Sequence, residues 1–169
     1  MKKPLLVSFS IFMMLVFSFS AINAKVMARV QNDNSKKLSE IKEIRHSIKL
    51  HQKTNEKIEK QIERKSKQVE KVLVSLGKSS LVSQQVIEEQ LNQKLEVIMT
   101  ELMQIGEYEA ASWKHLNAAN RQIKAKKYNA GIKNLNLADK NLENKHEALI
   151  IFNNELDTFL TFLKSLQYK

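Results

Sequence analysis

A chain of 169 residues carries 28 Lys and Arg against 18 Asp and Glu, a net charge of +10, with no Cys, three Gly and one Pro. The missing cysteine excludes disulfides, thiolate metal ligands and a cysteine nucleophile. So few Gly and Pro exclude the turn-dense β-sandwiches, barrels and α/β folds; abundant Lys, Glu, Gln, Leu and Ala leave an all-α fold.

Lys2 and Lys3 precede an apolar run from Leu5 to Phe19, which closes on Ser20-Ala21-Ile22-Asn23-Ala24. A charged start, an apolar stretch and a small residue at the cut form the pattern of a secretory signal peptide, so residues 1–24 are expected to direct export. The alternative is an uncleaved anchor, since the run approaches the length that spans a bilayer. Ser8, Ser10, Ser18, Ser20 and Asn23 interrupt it and favour cleavage after Ala24. Without cysteine, attachment through a lipidated N-terminal Cys is excluded. Residues 25–34 are expected to be a flexible segment, and 35–169 a single helical bundle.

Three heptad segments follow, with helices expected at about 35–76, 80–126 and 129–167. In the first, the a positions are Ile41, Ile48, Asn55, Ile62, Val69 and Leu76, and the d positions Ile44, His51, Ile58, Lys65 and Val72. Gly77-Lys78-Ser79-Ser80 reads as its stop and as the cap of the next helix. The second holds one register from Leu81 to Lys126, with Leu95, Leu102, Glu109, Leu116 and Ile123 at a, and Leu91, Ile98, Ile105, Ser112 and Ala119 at d. That register runs through Gly106, which reads as a weak point inside one helix. Between the second and third segments, Asn129 is the one turn or cap signal. The third carries Leu135, Leu142, Leu149, Leu156 and Leu163 at strict sevenfold spacing.

Such stripes pack as coiled-coil-like seams, and the short connections imply an elongated antiparallel three-helix bundle running up, down and up. Pairing of these seams between chains, giving a homo-oligomer, is the alternative. Phe162 and Leu160 broaden the apolar face of the third helix, either to cover a wider core or to meet a partner. Trp113, at an e position, reads as core-rim packing.

Polar residues interrupt the seams. Counting outward from each expected turn sets Ile48 opposite Glu109 and Glu109 opposite His146, next to Lys145. A buried carboxylate requires a partner, so Glu109 is expected to contact Lys145, with His51 within about a turn. This layer of His51, Glu109 and Lys145 reads as a structural register key.

Two Glu-x-x-His matches, Glu43 with His46 and Glu143 with His146, have the spacing used in di-iron bundles, but the first pair falls at c and f, facing water, the second at b and e, and the companion inward glutamates are missing. No metal or other cofactor is expected. Nor is there a glycine-rich phosphate loop or a Gly-x-Ser-x-Gly elbow, and the chain reads as non-enzymatic.

The segment Lys36 to Leu76 holds 12 basic and 6 acidic residues. Its c and f positions read Lys53, Lys57, Lys60, Arg64, Lys67 and Lys71, a basic stripe along one helix face and a natural track for an anionic partner. Pairs such as Glu56 with Lys60 and Glu63 with Lys67 could neutralise it instead. The stripe lacks interleaved aromatics, which disfavours nucleic acid. The expected function is an exported, secreted or envelope-located protein that binds a protein partner or an anionic envelope polymer or lipid surface. An oligomerising structural, chaperone-like or toxin-component role is the alternative.

Overall fold

The computed structural model describes residues 35–76 and 84–167, and over them the chain is a bundle of three long helices with no strand. Helix α1 is Ser35–Leu76, α2 is Gln84–Lys124 and α3 is Tyr128–Gln167. At 1.5 Å per residue each is about 60 Å long. The expected signal peptide, the segment 25–34, the stop at Gly77 to Ser80 and the start of the second helix before Gln84 lie outside the described residues.

Cross-helix contacts give the directions. Lys145 meets Glu109, His115 meets Asn134, and Lys94 lies over Phe162, so α2 and α3 are antiparallel. Ser47 and His51 meet Asp139, while Lys65 meets Asp157, so α1 and α3 run parallel.

Helix α3 is the spine. Both of its heptad columns are buried: Tyr128, Leu135, Leu142, Leu149, Leu156 and Leu163 at a, and Gly131, Ala138, Lys145, Phe152, Phe159 and Leu166 at d. Ala148 and Leu160 widen that face into the core, so the extra apolar width of the third helix covers core. The flanking helices bury narrower stripes. On α1 the a residues Ile41, Ile48, Asn55, Ile62 and Val69 are buried while the d residues are half-buried; on α2 the d residues Ile98, Ile105, Ser112 and Ala119 are the deeper set. That asymmetry follows from packing: α1 and α2 each lie along α3 but approach one another chiefly through side chains, as where Arg45 donates to Asn120 at 3.0 Å.

The turn between α2 and α3 rests on Lys126, not on Asn129, which lies within the first turn of α3. Lys126 has φ 59°, in the left-handed region. The Lys126 N–H bonds the Ile123 carbonyl at 3.0 Å and the Lys127 N–H bonds the Gln122 carbonyl at 2.9 Å. This is the Schellman pattern, in which one left-handed residue closes the last carbonyls of a helix. Lysine carries no local signal for that conformation, which glycine or asparagine ordinarily takes. The tightness of the turn explains Gly131: a β-carbon there would sit 2.6 Å from Ile123 Cγ1, a stiff branched atom. Gly106 is the opposite case, with nothing within 4 Å of the position a β-carbon would take, and α2 continues through it.

The two glycines therefore predict opposite signs in urea or thermal unfolding. Gly106→Ala should stabilise by about 0.5–1 kcal/mol, the helix-propensity difference. Gly131→Ala should destabilise by about 1–3 kcal/mol, because overpacking the α2–α3 turn outweighs the same propensity gain. Lys126→Gly should raise the midpoint by relieving about 1 kcal/mol of left-handed backbone strain, and an unchanged or lower midpoint would contradict the turn assignment.

Candidate functional site: a buried charged layer and an exposed basic file

The apolar core comes in two parts. One holds Ile62, Val69, Ile98, Leu102, Ile105, Phe152, Leu156 and Phe159 with their neighbours; the other holds Ile41, Ile48, Ala119, Ile123, Leu135 and Leu142. Between them lies a polar layer built from all three helices. Lys145 is 4% exposed, and its Nζ lies 2.6 Å from Glu59 Oε1 and 2.7 Å from Glu109 Oε2. Burial acts to lower the lysine pKa, but the two carboxylates outweigh it and hold the ammonium above its ordinary value. One turn before Glu59 on α1, the buried Asn55 donates from Nδ2 to the Leu142 carbonyl at 3.1 Å. Its Oδ1 therefore accepts from His146 Nδ1 at 2.9 Å, which places a proton on that nitrogen. Ser112, buried one turn beyond Glu109, has a hydroxyl without a hydrogen-bond partner among the described residues.

The contact counted from sequence between Glu109 and Lys145 is present, but His51 is not its companion. His51 Nδ1 lies 2.9 Å from Asp139, whose second oxygen accepts from Ser47 at 2.8 Å. The third member of the layer is Glu59, eleven residues further along α1 than the expected Ile48, an offset of about 16 Å. Folding α1 back on α2 assumed that those two helices set each other's height. In the structure each takes its height from α3, so the count fails for α1 and holds for α2. Glu59 sits at e, outside the a/d stripe, where spacing carries no signal for it; Asn55 is a polar a residue, but spacing does not mark its histidine partner.

The basic file lies elsewhere. Lys53, Lys57, Lys60, Arg64, Lys67 and Lys71 are all exposed on α1. Lys67 pairs with Glu63 at 2.7 Å, and this ammonium holds the Glu63 carboxyl below its ordinary pKa. The expected pair between Glu56 and Lys60 is not formed, and among the described residues the other five cations have no carboxylate partner. The file is bordered by exposed Glu56, Glu63 and Glu70 on one side and by Thr54, Gln61, Gln68 and Ser75, which carry no charge, on the other.

The Glu-x-x-His pairs are otherwise engaged or apart. Glu43 accepts from Ser39 and His46 is exposed, while Glu143 pairs with Lys140 and His146 with Asn55. Among the described residues no three His, Asp or Glu side chains gather to hold a metal ion, and no helix is long and apolar enough to cross a membrane. Trp113 is half-buried, beside Ser112 and outside both apolar cores. The chain matches no protein-family model, no curated protein and no solved structure, so its function has to be read from this geometry.

Removing Lys145 should be expensive because Glu59 and Glu109 would be left facing each other with no cation. Lys145→Leu is expected to cost about 3–5 kcal/mol in urea unfolding, whereas replacing all three by Leu should be near neutral in stability. A single-variant loss below about 1 kcal/mol would show that the layer is open to water. In alkali the sign is fixed by the raised lysine pKa. The stabilisation is complete below the ordinary value near 10.4 and is lost as pH rises through the higher folded value. The triple Leu variant should lack that alkaline component in a pH series of unfolding midpoints.

Proposed function

We propose that this chain is an exported, non-enzymatic helical rod with coiled-coil-like seams that binds an anionic component of the cell envelope through the outer face of α1. The observation that carries this reading is the file of six exposed cations from Lys53 to Lys71, of which, among the described residues, only Lys67 forms an ion pair with a carboxylate. Exposed helix faces that serve only solubility intersperse both signs and stitch them by i to i+4 pairs. Here one sign is lined up and most of it is available to a ligand. The leader-like residues 1–24 supply the second support, because export brings such a face to anionic polymers and headgroups outside the cytoplasm. Three polar side chains between the helices are occupied in holding them: Lys145 by two carboxylates, His51 by Asp139 and His146 by Asn55. Pairings of this kind are suited to setting register.

Binding to isolated cell-envelope material is the test. The protein should bind in low salt and release as salt rises, because exposed charges are screened over about 8–10 Å at physiological ionic strength. The variant Lys53→Gln, Lys60→Gln, Lys67→Gln should lose at least about tenfold in affinity with an unchanged circular dichroism spectrum. Undiminished binding by that variant would sink the α1 reading and leave a protein partner or self-assembly as the function.

A further inference from the structure

We infer that the ligand of α1 is a single linear polyanion lying along the helix axis and spanning six charges, not a flat anionic lipid surface; this rests on the reading of α1 as an anion-binding face. The cations step by four and three residues in alternation, from Lys53 through Lys57, Lys60, Arg64 and Lys67 to Lys71. That spacing puts them in single file, one about every 5 Å over about 27 Å of helix. The same alternation continued in both directions reaches Leu50 and Val74, which are 58% and 45% exposed, so the file is closed at each end by an apolar side chain. The uninterrupted file is therefore six cations long, one of them, Lys67, paired with Glu63.

Its width is fixed too. On the helix wheel the row next to the f column carries Lys49 and then, alongside the file, Glu56, Glu63 and Glu70, all exposed. Neighbouring rows on a helix lie about 5–6 Å apart, well inside the screening distance, so these carboxylates repel any anion that spreads to their side. A planar layer of headgroups resting on α1 would have to cover that row. A polymer one group wide avoids it by lying over the f and c columns, towards the row that holds Gln61 and Gln68. Their side-chain amides are exposed and can donate to anionic oxygens. Five of the six cations are lysine, which acts as a point charge without the planar fork that fixes the orientation of one particular anion. No aromatic residue stands in the file, so stacking on bases is not offered. The chemistry that fits is a flexible chain with one anionic group per repeat.

Two probes separate this inference from the reading beneath it: labelled poly(glycerol phosphate) chains of about three, six and twelve repeats, and phosphatidylglycerol vesicles, each titrated with the purified protein. The expected result is an affinity that rises at least about tenfold from three to six repeats and less than about threefold from six to twelve, with no co-sedimentation on vesicles. Lys53→Gln, Lys60→Gln, Lys67→Gln should halve the salt dependence for the six-repeat chain, and Glu56→Gln, Glu63→Gln, Glu70→Gln should tighten binding about two- to fivefold. Vesicle binding abolished by the lysine substitutions, without polymer binding, would overturn the linear ligand while leaving α1 as an anion-binding face. Affinity still climbing by tenfold from six to twelve repeats would overturn the six-charge limit. Binding to neither probe would overturn both.

Discussion

One ammonium group holds this bundle in register. Lys145 projects from the central helix and is gripped by Glu59 of α1 and Glu109 of α2, so a single buried cation fixes the heights of all three helices at once. Apolar seams alone could slide by a heptad at modest cost, because one leucine replaces another. A displaced Lys145 would leave two carboxylates unpaired inside the protein, a penalty that no alternative leucine contact can offset. In long helical assemblies buried polar residues add little net stability and penalise wrong alignments, and the geometry of this layer suits that role. Asn55 and His146 extend the same restriction one turn along.

The apolar architecture around that layer explains why α3 must carry it. Only α3 buries both columns, and so only its side chains meet the two other helices together. A lysine at its d position can reach left and right; a lysine on either flanking helix would meet one neighbour and water. Lys65 illustrates the second case. Although it sits at a d position of α1, it runs along α3 to Asp157 and the Asn153 carbonyl, with its head near the surface.

Much of this was legible from spacing. Five leucines seven apart mark α3, and a short second connection makes the count from Glu109 to Lys145 hold, because few residues leave few ways to turn. The location of α1 along α3 was not legible, since parallel helices share no turn from which to count. Glu59 was hidden by its e position, where a carboxylate ordinarily faces water. Lys126 was hidden for another reason: lysine has no preference for the left-handed region, and only the demands of the close α2–α3 approach place it there. The basic file was readable as a pattern, but not the failure of Glu56 to neutralise Lys60, which depends on rotamers and not on spacing.

The unequal contacts among the helices carry a consequence for assembly order. Along α2 and α3 the linking pairs are close in sequence, 19 residues apart for His115 with Asn134 and 36 for Lys145 with Glu109. Along α1 and α3 they are 87 to 92 apart in each case, for Asn55, His51, Lys65 and Ser47. Loop-closure entropy favours the nearer set, so the hairpin of α2 and α3 is the natural nucleus and α1 docks onto it late. The hairpin keeps its own contacts whether or not α1 is docked. The helix that bears the basic file is thus the one whose withdrawal would leave the other two still joined by their turn and by Lys145 with Glu109.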